Sequence, residues 1–454
     1  MRILFESSNV YDPIDGRRMG SFVVEDGRFS QRTFGVDSVE KINGYVYPGF
    51  VDAHAHLLET GMKSITPSLE GLKSSDEIVE LAKGTDSIVL RGWDDALIGS
   101  YPTIEELNRV DRPLIVIRKC GHVGVANKRF LKIADLESDD GVLREKSLWR
   151  ALDSIPVDVN ELKKALKAGE KEFFKYGVTS VHSDDMYRIP SNVVEDVISN
   201  STIGVHEHYH VHTVNELEKI LSIHPKSVKI LMDGSLGART AYLRTEYSDT
   251  STRGILNFSY EEFEKIVRES ERMGIQVVAH VIGDGALDVA LKAFERADAA
   301  LRHRLVHVQL AWPDQIEKIK SLGLCVDVQP QFFVSDEKMA FERLGKRVEH
   351  AYPFKSLIES GIHVAFSSDS PVEIPDPLEG IKAAGKLGIK VRDALTAYTV
   401  EGAYQEYAEN EKGRFGDGMM ADFVVLSKPI DDESAKVVAT YKKGKKVWEN
   451  CTCA

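Results

Sequence analysis

The sequence of 454 residues has only four cysteines, namely Cys120, Cys325, Cys451 and Cys453. They are too few and too scattered for a disulfide framework, so we expect free thiols in a reduced, cytoplasmic chain. Apolar runs never approach the roughly 18 residues that a membrane helix needs. The first residues also lack the apolar core and the cleavage site of a signal peptide. These absences predict a cytoplasmic protein without a membrane partner.

Basic residues are outnumbered by acidic ones. The 58 lysines and arginines stand against 71 aspartates and glutamates, which gives a formal net charge of −13. Because an acidic surface repels phosphate backbones, nucleic acid is not expected as a partner. Hydrophobic residues make up 43% and charged residues 28% of the chain, which is typical of a globular protein. A small-molecule substrate is the expected partner, and a homo-oligomer is left open.

Several catalytic motifs are missing or misleading. No G-x-G-x-x-G follows an apolar run, and neither a P-loop nor a G-x-S-x-G elbow occurs, which argues against nucleotide enzymes and serine hydrolases. Residues 206–210 match the H-E-x-x-H of zinc proteases, but that mechanism needs a helix. Histidines at 206, 208, 210 and 212 instead follow the period of a strand. If that side of the strand faces inward, His210 enters the site; otherwise these histidines are polar groups at an interface.

Short apolar runs alternate with helical patterns through the middle of the chain. Continuous runs rich in Val and Ile between helices are typical of parallel strands buried on both faces. Eight such units predict an α/β fold, a (β/α)8 TIM barrel, with a doubly wound open sheet as the alternative. The runs cover residues 49–56, 177–184, 202–210, 227–234, 275–280, 304–309, 324–330 and 362–369.

The two ends of the chain differ from the middle. Residues 1–48 and 406–454 contain β-branched and aromatic stretches, which Asp-Gly and Asn-Gly turns interrupt in the first of them, and they predict one composite β-sandwich built from both termini. Residues 49–61 carry the first barrel strand and residues 158–405 the rest of the barrel. Residues 62–157 are too many for a plain βα loop. They predict an insertion over the barrel mouth that serves as a substrate lid.

Histidines and one aspartate accompany several apolar runs. His54 and His56 share one side of the first strand, because residues i and i+2 of a strand point the same way. His280 and Asp369 end later runs, and His307 falls within another. Each alone is explained as a rim or core residue with an ordinary partner. Burying several titratable groups together is unfavourable unless a cation joins them, so their convergence predicts a divalent metal site.

Two other polar residues lie on the same predicted strands. Lys229 follows Val228 inside an apolar run, and a buried lysine needs a partner. It either extends its amino group to the rim or, if carbon dioxide carboxylates it, becomes an anion able to bridge two ions. Asp52 shares the face of His54 and His56, where it either orients an imidazole or caps the strand.

The ordered motifs resemble the amidohydrolase superfamily, and in particular amidohydrolase family 3, which includes formamide deformylases and proteins described as exoenzyme regulators. PGFVDAHAHLLETG resembles the first-strand signature of the superfamily. The insertion segments GHVGVANKRFL and GVLREKSLW and the C-terminal GRFGDGMMADFVVL also resemble family 3. The remaining motifs that resemble family 3 are VKILMDGSLGART, VVAHVIGDGA, VHVQL and FSSDSPV.

The resemblance implies a role for each candidate residue. His54 and His56 bind one metal with Asp369, while carboxylated Lys229 bridges to a second metal held by His280 and His307. Two zinc ions per chain are therefore expected. Asp369 also serves as the general base. The implied substrate contacts are His122, Arg239 and Trp93, although His122 also fits a surface loop and Arg239 a structural ion pair.

The expected function is metal-dependent hydrolysis of a C–N bond, of amide type but not a peptide bond, in a small molecule. Two alternatives stay open at this point. A deaminase of the same superfamily with a single metal would not need Lys229. A regulatory or binding protein on the same scaffold would need no catalytic metal, but it also has no reason to keep the complete ligand set.

Overall fold

The computed structural model describes residues 1–14, 16, 18–185 and 189–450. Cys451 and Cys453 lie outside these residues, and Cys120 and Cys325 are free thiols. Eight strands of the middle region, called here the first to the eighth, correspond to the eight predicted runs. They are Phe50–Ala55, Val178–Ser183, Gly204–Glu207 continued by Tyr209–His210, Ser227–Leu231, Gln276–Val281, Arg304–His307, Cys325–Val328 and Val364–Phe366.

Each of these strands pairs in parallel with the next one. The second strand pairs with the first and with the early part of the third, and the late part of the third pairs with the fourth. Parallel pairing continues from the fourth strand to the eighth. The residues after the eighth strand return to the first, where Asp369 N–H donates to the His54 carbonyl at 2.8 Å. This order brings the carboxyl ends of all eight strands to one edge.

Helices follow most of these strands and cover their outer side. The helix Val159–Lys175 is an example of how the sequence sets the ends and the buried face of a helix. Asp158 caps its first turn by accepting from Asn160 N at 2.9 Å. Its buried face repeats at helical spacing and includes Leu166 and Phe173. Gly177, at φ 80°, then turns the chain into the second strand. Local sequence thus determines both ends of this helix.

The other helices of the middle region are mostly short. They are Leu57–Ile65, Ser191–Ile198, Val214–Ile220, Tyr260–Arg272, Asp284–Ala293, Pro313–Ser321, Pro330–Ser335, Glu337–Leu344, Phe354–Glu359, Pro377–Lys386, Val391–Ala397 and Val400–Gln405. Four 3-10 helices are Leu221–Ile223, Phe294–Arg296, Ala299–Leu301 and Gly345–His350. Within the described ranges, none of the helices combines the length and the apolar character that crossing a bilayer requires.

The residues between the first and second strands form their own sheet. Its strands are Val89–Trp93, Ile115–Arg118, Val123–Ala126 and Val142–Arg144, hydrogen-bonded in chain order. Its helices are Ser75–Lys83, Asp95–Ile98, Ile104–Leu107, Lys128–Ala134 and Lys146–Asp153. Apolar side chains such as Leu90, Val116 and Val123 form a separate core there. The insertion is therefore a folded unit and not an extended loop.

Both termini contribute strands to one six-stranded sheet. The N-terminal members are Val10–Tyr11, Arg18–Met19 and Tyr45–Pro48, and the C-terminal members are Phe423–Leu426, Val437–Lys442 and Lys445–Glu449. A four-stranded sheet contains Arg2–Glu6, Phe22–Glu25, Arg28–Ser30 and Ser38–Lys41. Phe5 of the smaller sheet meets Phe423 of the larger one in a shared aromatic core, with ring centroids 5.2 Å apart.

A group of buried histidines lies within the parallel strands. His182, His206 and His208 have ring centroids 5.1 to 6.0 Å apart. The Ser227 hydroxyl lies 2.7 Å from His208 Nδ1, and Arg304 donates to His208 Nε2 at 3.2 Å. Residues 206 and 208 thus face inward on an extended segment, so the zinc-protease interpretation, which needs a helix, does not apply. Burial lowers the pKa of His182 to about 4 and the pKa values of the other two well below the usual range.

This group predicts acid sensitivity of the fold. Unfolded His182 takes up a proton near its ordinary pKa of about 6.5, whereas folded His182 takes it up only near 4. Between these values the unfolded state binds more protons, so stability is lost as the pH falls. We expect His182→Gln to remove about 2 kcal/mol of the stability loss that wild type shows between pH 7 and pH 5. Urea unfolding at the two pH values measures it.

The matched control for this prediction is His224→Gln, because His224 is exposed. It should keep the wild-type dependence on pH. The absolute stability of His182→Gln is not the test, since removing any buried side chain lowers it. An unchanged difference between pH 7 and pH 5 in His182→Gln would contradict the explanation.

Candidate metal centre

A cavity opens at the carboxyl ends of the parallel strands, under the insertion. Strand ends and the residues just after them supply most of its polar wall, and the insertion supplies the rest. This is the position at which folds of this class place their sites. The polar residues at its centre are His54, His56, His122, Asp184, Lys229, His280, His307 and Asp369.

Three of these side chains converge on one point. Asp369 Oδ1 lies 3.3 Å from His54 Nε2 and 3.1 Å from His56 Nε2. All three residues are buried, and one ligand atom of each lies within 4.8 Å of the others. Zinc bonds of about 2.0–2.2 Å place neighbouring ligands of a tetrahedron about 3.3–3.6 Å apart. The observed separations are close to that spacing.

Hydrogen bonds orient the histidine rings toward the cavity. His56 Nδ1 lies 2.5 Å from the Asp184 carbonyl, and His280 Nε2 lies 3.2 Å from the Gly234 carbonyl. His307 Nδ1 lies 2.8 Å from Gln329 Oε1. Because these oxygens only accept, each of the three nitrogens carries the ring hydrogen. In His280 and His307 the opposite nitrogen is then the lone-pair nitrogen, which is how metal-binding histidines are usually held. His56 Nε2 instead donates to Asp369 Oδ1, 3.1 Å away.

The backbone is strained where two of these residues leave their strands. His307 has φ 78° and Asp369 has φ 57°, values that non-glycine residues rarely adopt. Such conformations persist where the surrounding structure enforces them and are common at functional sites. Gln329 supports His307 from the end of the neighbouring seventh strand. Asp52 supports the segment before Asp369, since it accepts from Ser368 N–H at 3.0 Å and from its hydroxyl at 2.6 Å.

The protonation states suit a cation with one exception. Burial lowers the pKa of His54 to about 3 and that of His307 to about 4, so both are neutral. Burial would raise the pKa of Asp369, but hydrogen bonds from His54 and His56 outweigh it and hold that pKa well below its usual range. Although burial opposes it, the hydrogen bond with Asp369 raises the pKa of His56 to about 10. Metal binding here must therefore release a proton from His56.

Lys229 forms an ion pair in this structure. Its amino group lies 2.5 Å from Asp184 Oδ2 and 3.5 Å from His54 Nε2, and its side chain is buried. The other oxygen of Asp184 binds His210. Of the alternating histidines, His210 thus contacts a residue of the cavity wall, while His212 stacks against Trp149. Asp184 is the partner that a buried lysine requires.

Known proteins are similar to this chain in sequence. Residues 42–448 match the sequence model of the amidohydrolase family. The chain belongs to the amidohydrolase family. A Bacillus subtilis (strain 168) protein named as an amidohydrolase, YtcJ, is 30% identical over 94% of each chain. The N-substituted formamide deformylase of Arthrobacter pascens is 22% identical, over 88% of this chain and 87% of its own.

A solved structure is also similar to this chain. An uncharacterized metal-dependent hydrolase from Pyrococcus horikoshii superimposes with a TM-score of 0.80 at 29% identity, over 98% of this chain and 100% of its own. Membership of the family and this neighbour support a hydrolase that uses a divalent metal. In this amidohydrolase, the residues that could hold the metal are the ones gathered around the cavity.

The predicted substrate contacts are divided by the structure. His122 is buried and lines the cavity, with its ring centroid 5.2 Å from that of His280. The indole of Trp93 instead lies in the core of the insertion, where it donates to the Val116 carbonyl at 3.1 Å. Arg239 forms an ion pair with Asp249 at 2.7 Å on a half-buried loop. Neither Trp93 nor Arg239 is placed at the cavity wall.

Sequence reasoning missed three residues of the site. Asp184 ends the second apolar run just as Asp369 ends the eighth, so the same signal was present there. Gln329 follows the seventh strand and holds His307. Glu145 lies in the insertion and binds His122 Nδ1 at 3.1 Å. Nothing in the local pattern around Glu145 distinguishes it from the many surface glutamates.

Proposed function

We propose that the protein hydrolyses an amide-type C–N bond of a small molecule, other than a peptide bond, on a (β/α)8 barrel. The observation that supports this most is the convergence of His54, His56 and Asp369, together with the fixed rings of His280 and His307. A binding protein has no need for several buried imidazoles that present their lone pairs to one cavity. The similarity to an N-substituted formamide deformylase favours an N-acyl or N-formyl compound.

Each residue of the site has a separate role in the proposed hydrolysis. A divalent metal held by His54, His56 and Asp369, and by His280 and His307 beside them, would acidify a bound water and polarise the scissile carbonyl. Asp369 takes the proton from the attacking water and passes it to the leaving nitrogen. Asp369 is available as an acceptor because it is ionised at neutral pH, since hydrogen bonds from His54 and His56 hold its pKa well below the usual range. The insertion covers the cavity and limits access of bulk water.

Lys229 determines whether one or two ions are held. To bridge two ions, its ammonium group must leave Asp184 and lose one proton to solvent. The free amine then adds to carbon dioxide and loses a second proton, which gives a carbamate anion. If Lys229 stays paired with Asp184 at 2.5 Å, the centre holds a single ion. That outcome favours the second candidate, a deaminase with one metal. We propose the two-zinc form, because His280 and His307, whose ring centroids lie 4.4 Å apart, form a second pair of imidazoles beside His54 and His56.

Replacing Lys229 tests this choice. We expect Lys229→Ala to lower the zinc content from two equivalents to one and to remove most activity, since the bridging anion is lost. Elemental analysis of protein loaded with zinc and bicarbonate measures the content. A short carboxylic acid added to the variant should restore part of the second equivalent. The matched control is Lys226→Ala, because Lys226 is exposed just before the same strand.

Two results would contradict the bridge. One is wild-type protein that never exceeds one equivalent, and the other is Lys229→Ala that still holds two. The hydrolase itself is tested by screening N-formyl and N-acyl amines for release of the free amine, before and after removal of metal with a chelator. Turnover that survives complete removal of metal would contradict the proposed function.

A further inference from the structure

A pair of insertion residues lies directly beside the metal centre. His122 precedes the insertion strand Val123–Ala126, and Glu145 lies between the strand Val142–Arg144 and the helix Lys146–Asp153. Glu145 Oε2 accepts from His122 Nδ1 at 3.1 Å, and Glu145 N–H donates to the His122 carbonyl at 3.3 Å. The two residues are thus joined by both side chain and backbone.

Glu145 occupies a backbone conformation that does not suit it. Its φ of 46° and ψ of −123° belong to a region that glycine populates readily and other residues avoid. The residue is also buried, since only 2% of it is exposed. Within the described part of the chain, Glu145 Oε1 has no hydrogen-bond partner. A strained residue with a buried carboxylate is unfavourable for stability, which points to a role in the site.

The backbone at Gly234, just after the fourth strand, leaves room for the Glu145 carboxylate. A Cβ atom added at Gly234 would lie 2.2 Å from Glu145 Oε1 and 2.1 Å from Thr240 Oγ1. Only a residue without a side chain fits between them. The carbonyl of the same Gly234 accepts from His280 Nε2 at 3.2 Å. Gly234 therefore packs against Glu145 and also orients His280, a predicted metal ligand. This contact fixes the position of the insertion relative to the candidate metal centre.

The hydrogen bond to Glu145 also determines how His122 faces the cavity. Because Nδ1 is engaged by Glu145, Nε2 is the nitrogen left for a ligand. The ring lies 5.2 Å from the ring of His280, measured between centroids, and it lines the cavity. A substrate amide bound next to His280 would therefore lie beside His122.

We propose that Glu145 is a positioning residue that holds His122 so that His122 Nε2 contacts the reacting amide group of the substrate. This inference rests on the amide hydrolysis proposed above. Glu145 acts through His122, so the two residues form one unit. Effects of residues that act as a unit are not additive, which a double-mutant cycle measures.

The experiment uses acetohydroxamate, which carries an amide-like carbonyl and chelates metal ions, as the probe. Its dissociation constant is measured by calorimetry on zinc-loaded protein. We expect His122→Ala and Glu145→Gly each to weaken binding about tenfold. The double variant should bind no more weakly than either single variant. Glu145→Gln should stay within about threefold of wild type, because its amide oxygen still accepts from Nδ1–H.

The variants separate positioning from folding. Glycine suits φ 46°, so Glu145→Gly introduces no backbone strain of its own. If it does not fold, Glu145→Asn, whose shorter side chain withdraws the acceptor, replaces it in the cycle. Glu137→Ala, at an exposed position of the same insertion, should bind like wild type. Zinc content and circular dichroism are recorded for every variant.

The outcomes differ for the two proposals. Wild-type affinity in Glu145→Gly, or additive losses in the double variant, would overturn the positioning role while leaving the hydrolase intact. Loss of affinity in Glu145→Gln as large as in Glu145→Gly would overturn it as well. If zinc-loaded wild type does not bind acetohydroxamate, the proposed amide hydrolysis fails and the inference falls with it.

Discussion

Asp369→Asn is expected to lower kcat by about 10²–10⁴-fold while most of the metal stays bound. The amide of asparagine still offers an oxygen toward His54 and His56, which lie 3.3 and 3.1 Å from Asp369 Oδ1. It cannot accept a proton from the attacking water, so the general base is lost. The measurement is kcat and zinc content on one preparation, with the substrate that the amine-release screen identifies.

The control for this substitution is Asp376→Asn, made seven residues further along the chain. Asp376 caps the helix Pro377–Lys386 by accepting from Leu378 N at 2.9 Å. Asparagine caps helices equally well, so this variant should keep the turnover of wild type. Near-normal turnover in Asp369→Asn at full zinc occupancy would contradict the assignment and move the base to another residue of the cavity wall.

A buried ion pair lies close to the candidate metal centre and stabilises the fold. Arg304 and Asp327 are both fully buried, and Arg304 Nη2 lies 2.6 Å from Asp327 Oδ2. The same guanidinium donates to the Ala53 carbonyl at 2.6 Å, next to His54. Removing one member of a buried pair leaves an uncompensated charge, which costs about 3–5 kcal/mol. We therefore expect Arg304→Met to lower the free energy of unfolding by about that amount.

A second substitution shows whether the charge is the cause. Arg304→Met combined with Asp327→Leu removes both charges, and should recover most of the lost stability. Urea unfolding followed by tryptophan fluorescence measures all variants under one condition. Arg109→Met, which breaks an exposed pair with Asp76, should leave the midpoint unchanged. A double variant as unstable as Arg304→Met would show that lost packing, and not the buried charge, dominates.

The predicted metal ligands illustrate how much a sequence pattern can predict. His54, His56 and Asp369 were predicted to meet because parallel strands end at one edge, and polar residues at those ends must converge. The structure brings these residues together. That prediction needed only the order of the elements and the side on which each residue points. The order of the elements and the direction of each side chain are local properties, which the apolar runs and the helix caps indicate.

The partners of the charged residues did not follow from such patterns. Asp184 pairs with Lys229, Glu145 with His122, and Arg239 with Asp249. Which of several nearby acids a base meets depends on differences of a few ångströms between elements far apart in the chain. Trp93 shows the same limit, since its burial in the insertion core depends on how the insertion folds.

Periodicities of two and 3.6 residues, with turn and cap residues, predict the eight apolar strands, the β-rich termini and the polar residues at the strand ends, because these signals act over a few positions. The ring nitrogen that each histidine presents, the pairing of Lys229 with Asp184 and the contacts of Gly234 with Glu145 and His280 are seen only in the folded structure. Hydrogen bonds and ion pairs are short-ranged and directional, so they are determined only when the packed elements bring their atoms within about 3 Å.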